Sequence, residues 1–301
     1  MSDTAARATL TRRAAIASVS SATILLFLKA YAVRATGSVA MLGSLADTGL
    51  DLLSSLVTLY AVWLAAQPAD ADHRFGHGKA EAIAALMQTL VILGSAVAIA
   101  WRAIMQLGVA DLPRRPEVGV AVSVIASILT ALLIAYQRRI VRATGSIAIG
   151  TDQLHYQSDL LLNLAVITAL ALDVWAGLHG ADAIFGIGIA VFLAVGATRS
   201  AGAAVDMLMD HEWPVAKRER LLAVLGANPL VEGVHEIRTR SSGVTDFIQF
   251  HIWLAPEMTV VAAHDIVDVV EGDVARAFPG AEILIHIDPR GHYDRPPQHQ
   301  D

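Results

Sequence analysis

The sequence predicts an α-helical membrane bundle of six transmembrane helices followed by a small cytosolic α+β domain. Of the 301 residues, 55% are hydrophobic and only 17% are charged, and the mean hydropathy is +0.54. Soluble domains contain about 25% charged and about 45–50% apolar residues. The composition therefore excludes a disordered chain and argues against an ordinary soluble enzyme.

The net charge and the cysteine content exclude further classes. A formal net charge of −6 argues against a nucleic-acid partner, because such partners attract basic proteins. The chain contains no cysteine, so disulfides, thiolate catalysis and cysteine-ligated zinc are excluded. Any metal site must therefore be built from His, Asp and Glu side chains.

Six apolar stretches precede residue 210, and each is long enough to cross about 30 Å of hydrocarbon as a helix. They cover roughly residues 14–33, 39–66, 80–107, 117–136, 146–178 and 183–205. An even number of spans places both termini on one side of the membrane. The loops on that side carry most of the Lys and Arg, including Arg74, Lys79 and Arg139, so the positive-inside rule predicts cytoplasmic termini.

The charge density changes near residue 210. We therefore divide the chain into a transmembrane domain at 1–210, a cytosolic domain at 211–290 and a disordered tail at 291–301. Residues 211–301 carry 22 of the 50 charged residues and the whole net charge of −6.

The cytosolic domain shows an α-β-β-α-β pattern of hydrophobic periodicity. The two predicted helices and three predicted strands, in chain order, cover residues 217–226, 235–240, 246–254, 259–278 and 282–288. A hairpin signal, Ser-Ser-Gly at 241–243, separates the first two strands. This order predicts two helices packed on one face of a small sheet.

Four ionisable residues lie in the middle of two predicted spans. Asp47 and Asp51 are four residues apart in the second span, and His155 and Asp159 have the same spacing in the fifth. The spacing places each pair on one helix face, at a depth of about 13–20 Å for 1.5 Å per residue. Charged groups at that depth are costly unless they are neutralised. Tetrahedral Zn²⁺ suits three carboxylates and one imidazole.

The alternative is a helix–helix hydrogen-bond network, or partial exposure of these residues at a helix end. Lys29 is the only other basic residue near mid-depth, and it could neutralise one acid. No basic residue in another span is placed to pair with all three carboxylates. A metal site is therefore the better prediction.

The loop between the second and third spans holds a further cluster. Asp70, His73 and His77 lie within eight residues and could form a three-ligand site at the cytoplasmic surface. Taken alone, the spacing favours an ordinary solvated charged turn over a metal site.

Seven of the eleven histidines fall after residue 210, in the cytosolic domain and the tail. Strand alternation places His286 and Asp288 on one face of the last strand. Together with His235, His251 and His264 from other elements, they could form a two-metal site bridged by Asp288. Scattered surface histidines are the alternative.

These features together resemble the cation diffusion facilitator family, and most closely its bacterial ferrous-iron/zinc (cadmium) efflux branch. The resemblance covers nearly the whole chain except about a dozen residues at each end. It is carried by residues 43–51 (GSLADTGLD), 67–70 (QPAD), 75–81 (FGHGKAE), 155–159 (HYQSD), 235–240 (HEIRTR) and 286–289 (HIDP).

The resemblance implies a metallochaperone-like cytosolic domain and a homodimer in the bacterial inner membrane that exports divalent cations in exchange for protons. Zn²⁺ would be both cargo and structural ion, with Cd²⁺ or Fe²⁺ as further cargo. The resemblance assigns the two intramembrane pairs to the transport site, the loop cluster to a second site, and the five cytosolic ligands to a binuclear site. It assigns Lys79 and Asp210 to the dimer interface. Ile287 departs from the polar residue expected in this branch.

Two other functions use the same residues, namely a membrane-embedded metallohydrolase and a metal sensor that transports nothing. Metal-dependent hydrolysis needs an open coordination position for water. Four protein ligands would fill a tetrahedral zinc ion, which favours carrying the ion over catalysis.

Overall fold

The computed structural model describes residues 3–36, 39–106, 117–176, 181–243 and 245–292. The chain divides into two compact units, one of Arg7–Leu208 and one of Met209–Asp301, and the first six residues group with the latter. Most of the predicted disordered tail, residues 293–301, lies outside the described residues.

The first unit is a bundle of six helices. They are α1 (Asp3–Thr36), α2 (Val39–Ala65), α3 (Ala80–Gln106), α4 (Glu117–Thr144), α5 (Ile147–Ala176) and α6 (Ala181–Leu208). Within the described ranges, five of these helices contain a stretch long and apolar enough to cross a membrane. The remaining one, α5, is 30 residues long and carries the ionisable residues of the fifth predicted span. The predicted fold class is confirmed.

The start of α5 is fixed by a buried carboxylate from another helix. Gly145, with φ of 70°, ends α4, where its N–H donates to the carbonyl of Val141 at 2.8 Å. Ser146 then donates its hydroxyl to Glu81 at 2.5 Å. The first backbone N–H groups of α5 also hydrogen bond to Glu81, and they have no partner within their own helix. Glu81 is 2% exposed, so α3 anchors the end of α5 that leads to the metal ligands.

Close helix packing holds α5 against α6. A Cβ atom at Gly196 of α6 would lie 2.7 Å from Leu154 Cδ1 of α5. Because Gly196 has no side chain, Leu154 fits against α6. Leu154 also belongs to an apolar cluster with Leu193 of α6 and Ile92 of α3. His155 follows Leu154 directly, so this contact fixes the rotation of α5 about its axis.

The second unit contains the predicted α-β-β-α-β order, which is confirmed. Its elements are α7 (Val215–Gly226), β1 (Val234–Ser242), β2 (Thr245–Leu254), α8 (Val260–Ala277) and β3 (Glu282–Pro289). The sheet order is β1-β2-β3. β1 and β2 are antiparallel, whereas β2 and β3 are parallel, because α8 crosses between them.

The central strand divides its side chains between two faces. Ile248, Phe250 and Ile252 are buried against the two helices in one core, and His251 falls on the opposite face because side chains alternate along a strand. The register pairs His251 with His235 of β1 and with His286 of β3. Three histidines therefore form a row across the sheet.

Phe250→Ala tests the core of the second unit. Phe250 is 1% exposed, and we expect the substitution to lower the free energy of unfolding by about 3–5 kcal/mol. Guanidinium unfolding of residues 209–301, followed by tryptophan fluorescence, measures this change. Val260→Ala is the control, because Val260 is 84% exposed and its loss should change stability by no more than about 0.5 kcal/mol. Equal effects of the two substitutions would contradict this core.

Candidate metal centres

The first centre lies inside the helical bundle, between α2 and α5. Asp51, His155 and Asp159 each offer one ligand atom, and these atoms lie within 4.8 Å of one another. His155 Nε2 is 2.8 Å from Asp51 Oδ1. The side chain of Asp51 is 17% exposed and that of His155 is 10% exposed. A cation could therefore reach the group without displacing a helix.

Asp47 is the fourth predicted ligand, and the structure does not bring it into this group. In the described part of α2 its side chain is exposed, one turn before Asp51. The intervening Thr48 is buried and accepts a hydrogen bond from Lys29 Nζ at 2.6 Å. Lys29 also donates to the carbonyl of Ser44 at 3.3 Å. Three of the four predicted ligands converge. Asp47 lies outside the group, one turn before Asp51 on α2.

The second centre lies in the loop between α2 and α3. Asp70, His73 and His77 group together. Each histidine has a ring nitrogen 3.4 Å from an oxygen of Asp70, and the two histidines use different oxygens. The backbone N–H of His73 donates to Asp70 Oδ1 at 2.7 Å, and this bond holds the pKa of Asp70 below its usual value. All three predicted loop residues converge.

The third centre surrounds Asp288 on the exposed face of the sheet. Asp288 Oδ2 is 3.0 Å from His235 Nε2 and 2.8 Å from His251 Nδ1. His286 Nε2 is 3.1 Å from the other oxygen, Oδ1. The two oxygens of one carboxylate thus face different histidines, which is the arrangement that a bridging ligand needs.

The surroundings of Asp288 favour its charged form. Burial alone would raise the pKa of Asp288, but the hydrogen bond from His251 and the nearby His286 and His235 outweigh it, so the pKa lies below its usual value. Nδ1 of His235 is buried and has no hydrogen-bond partner among the described residues. An ionised carboxylate among three imidazoles suits Zn²⁺ or a similar ion.

His264 is the one predicted cytosolic ligand that lies apart from this cluster. It belongs to α8, where its Nδ1 lies 3.2 Å from Asp268 Oδ1, and its side chain is 71% exposed. Ile287 alternates to the face opposite His286 and Asp288, so its apolar side chain does not interrupt the row of ligands.

Glu236 is a neighbour of the cluster that the sequence analysis missed. It adopts a φ of 48°, where the register of β1 shifts between His235 and Arg238. This bulge brings Glu236 Oε2 to 3.9 Å from His251 Nε2. Only an irregular strand places residues 235 and 236 near the same partner, so strand alternation alone could not indicate it.

The two predicted dimer-interface residues have separate surroundings. Lys79 Nζ donates to the carbonyl of Leu208 at 3.2 Å. Asp210, with φ of 56°, accepts a hydrogen bond from Arg240 Nη1 at 3.1 Å. Their pairing across a dimer stays a prediction.

The chain as a whole defines a membrane transporter with a small cytoplasmic domain that carries a candidate metal site. The cation efflux transmembrane domain matches residues 15–209, and the cytoplasmic domain of cation efflux proteins matches residues 213–290. This protein belongs to the cation diffusion facilitator family, in the branch of the FieF cation-efflux pumps, as its motifs predicted. It is therefore a multi-pass membrane protein that exports metal cations, a transporter rather than an enzyme, and the metallohydrolase alternative is wrong.

Two FieF pumps align with this chain over nearly its full length. The cation-efflux pump FieF of Cronobacter sakazakii is 43% identical over 280 residues, which are 93% of each chain. FieF of Escherichia fergusonii is 42% identical over the same shares. Among solved structures, the zinc form of the zinc transporter CzrB is 33% identical, with a TM-score of 0.26 over 29% of this chain and 99% of its own.

Asp288→Ala tests the cytosolic cluster. We expect the zinc affinity of residues 209–301 to fall about 10–100-fold, because the substitution removes the carboxylate that all three histidines contact. Isothermal titration calorimetry measures the affinity. His264→Ala is the matched control and should cost much less, because His264 pairs with Asp268 instead. Equal losses in the two variants would contradict the separation seen here.

Proposed function

We propose that this transporter exchanges cytoplasmic divalent transition-metal cations for external protons across the bacterial inner membrane. Zn²⁺ is the principal proposed cargo, with Cd²⁺ and Fe²⁺ as further ones. The convergence of Asp51, His155 and Asp159 between two membrane helices carries the proposal. With Asp47 one turn away, the group can supply three carboxylates and one imidazole.

Proton exchange follows from the chemistry of these ligands. A metal ion binds the deprotonated carboxylate and the neutral imidazole, so metal and protons compete for the same atoms. Two neighbouring carboxylates, Asp51 and Asp159, repel each other unless a cation or protons neutralise them. The site is therefore suited to change conformation either metal-loaded or protonated, and each full cycle exchanges one for the other.

The ligand types limit the choice of metal. Oxygen and imidazole donors without a thiolate suit Zn²⁺, Cd²⁺ and Fe²⁺, whereas Cu⁺ prefers sulfur ligands. The chain has no cysteine to supply sulfur. We expect the order of preference among the three divalent ions to depend on whether Asp47 completes the shell.

The cytosolic unit fits a role in dimerisation and metal sensing. Its Asp288 cluster and the exposed His264 would hold structural zinc, and the acidic surface would repel a second copy until metal neutralises it. We propose a homodimer with both termini in the cytoplasm, because six spans place both termini on one side of the membrane and the loops assigned to that side carry Arg74, Lys79 and Arg139.

Asp51→Ala tests the transport site. We expect zinc flux into proteoliposomes to fall to the rate of protein-free vesicles, because the variant leaves Asp159 and His155 without their partner across the helix pair. Asp206→Ala is the control, since Asp206 is an exposed aspartate of α6 outside the group, and it should transport at the wild-type rate. Flux of Asp51→Ala near wild type would remove this site from the transport path.

Proton coupling has its own test. A pH gradient imposed across sealed proteoliposomes should drive zinc uptake against its concentration gradient, and a proton ionophore should stop that accumulation. Paired dyes for zinc and for internal pH measure both fluxes. Uphill uptake that continues unchanged with the ionophore would contradict antiport, while leaving zinc transport itself in place.

A further inference from the structure

A further acidic residue, Asp152, lies inside the bundle, and the transport site does not use it. Asp152 belongs to α5, three residues before His155, so both lie on related faces of one helix. Asp152 is 0% exposed, which is more buried than either Asp51 or His155. It lies between them and the end of the bundle that carries Glu81.

Three other helices contribute hydrogen bonds to the Asp152 carboxylate. Ser18 Oγ of α1 donates to Oδ2 at 2.7 Å, and Gln137 Nε2 of α4 donates to the same oxygen at 2.7 Å. Gln88 Nε2 of α3 donates to Oδ1 at 3.3 Å and to Thr58 Oγ1 of α2 at 2.5 Å. All of these donors are uncharged.

The hydrogen-bond partners of Asp152 therefore carry no charge, and His155 acts on it through space without a hydrogen bond. Throughout the described ranges, no Lys or Arg forms an ion pair with it. A buried carboxylate without such a partner is costly, and ionisable residues that persist at membrane depth generally mark ion pathways.

Two further oxygens beside Asp152 also lack partners. Oε1 of Gln88 and Oε1 of Gln137 are buried, and neither has a hydrogen bond to the residues described. Each is bonded to the same carbon as the nitrogen that contacts Asp152, so each lies within a few ångströms of the carboxylate. A side-chain amide can present its nitrogen or its oxygen by a half turn about its last bond.

A polar path joins this group to the transport site. Ser55 follows Asp51 by one helical turn, and its hydroxyl lies 2.9 Å from the hydroxyl of Tyr156. Tyr156 follows His155 and donates to the carbonyl of Ser18 at 3.3 Å. The Ser18 side chain then reaches Asp152, so polar groups continue from one site to the other.

We propose that Asp152, Gln88 and Gln137 form an oxygen-donor station that the divalent cation occupies briefly between the cytoplasm and the Asp51 site. The amide nitrogens donate hydrogen bonds to the carboxylate when the station is empty. When an ion arrives, the amides turn and their oxygens replace part of its hydration shell, as oxygen ligands do for divalent cations. The station rests on the proposed function, because it lies on the path of that cargo.

Transport kinetics test the station. With zinc supplied from the cytoplasmic side, Asp152→Asn should raise KM about tenfold or more with a smaller change in kcat, and Asp152→Glu should recover part of the loss. Gln153→Asn, at the next position of α5 and outside these hydrogen bonds, should leave both constants at wild-type values. An unchanged KM in Asp152→Asn, or a loss of kcat alone, overturns the station.

A spectroscopic test does not depend on turnover. The chain has no cysteine, so Asp152→Cys in the purified full-length protein places a single thiol at the station. Cd²⁺ should then produce a thiolate-to-cadmium charge-transfer absorption, because the soft thiolate binds Cd²⁺, and Gln153→Cys should produce none. No band in Asp152→Cys, or equal bands in both variants, overturns the station. Failure of the proposed function is different, because Asp51→Ala would then transport zinc normally.

Discussion

Hydrocarbon penalises charged groups by about 2.5–3.5 kcal/mol each even on the mildest scales, and this cost constrains the whole membrane unit. Asp51, His155 and Asp159 offset it by facing one another, and in the proposed function a cation or protons neutralise them. That arrangement requires a fixed depth and rotation of α5. Glu81 fixes the depth by binding the first turn of α5, and the Leu154 contact at Gly196 fixes the rotation.

In the cytosolic unit, a sheet and not a pair of helices brings the ionisable side chains together. Cross-strand register aligns His235, His251 and His286 in one row, and Asp288 lies beneath them with both oxygens engaged. A sheet holds these ligands rigidly, which suits a structural ion. The membrane site is built from side chains of two separate helices, so a change in their relative position would separate its ligands.

Sequence periodicity shows which ligands share one face of an element. The i, i+4 spacing predicted the α2 and α5 pairs, and strand alternation predicted the common face of His286 and Asp288. It could not exclude His264, since spacing does not show which neighbour a helical histidine meets. Asp152 escaped notice because its partners are neutral residues of three other helices, and no local pattern links them. Asp47 shows the remaining limit, because a shared helix face does not guarantee equal reach.

The central claim is that one imidazole and the facing carboxylates hold the cargo inside the bundle. Zinc X-ray absorption spectroscopy tests it most directly, on protein whose loop and cytosolic histidines have been replaced by alanine and which is loaded with one zinc per chain. We expect zinc to be surrounded by oxygen and nitrogen atoms that include a single imidazole. The imidazole signature should disappear in His155→Ala. Two or more imidazoles, or a spectrum unchanged by His155→Ala, would contradict it.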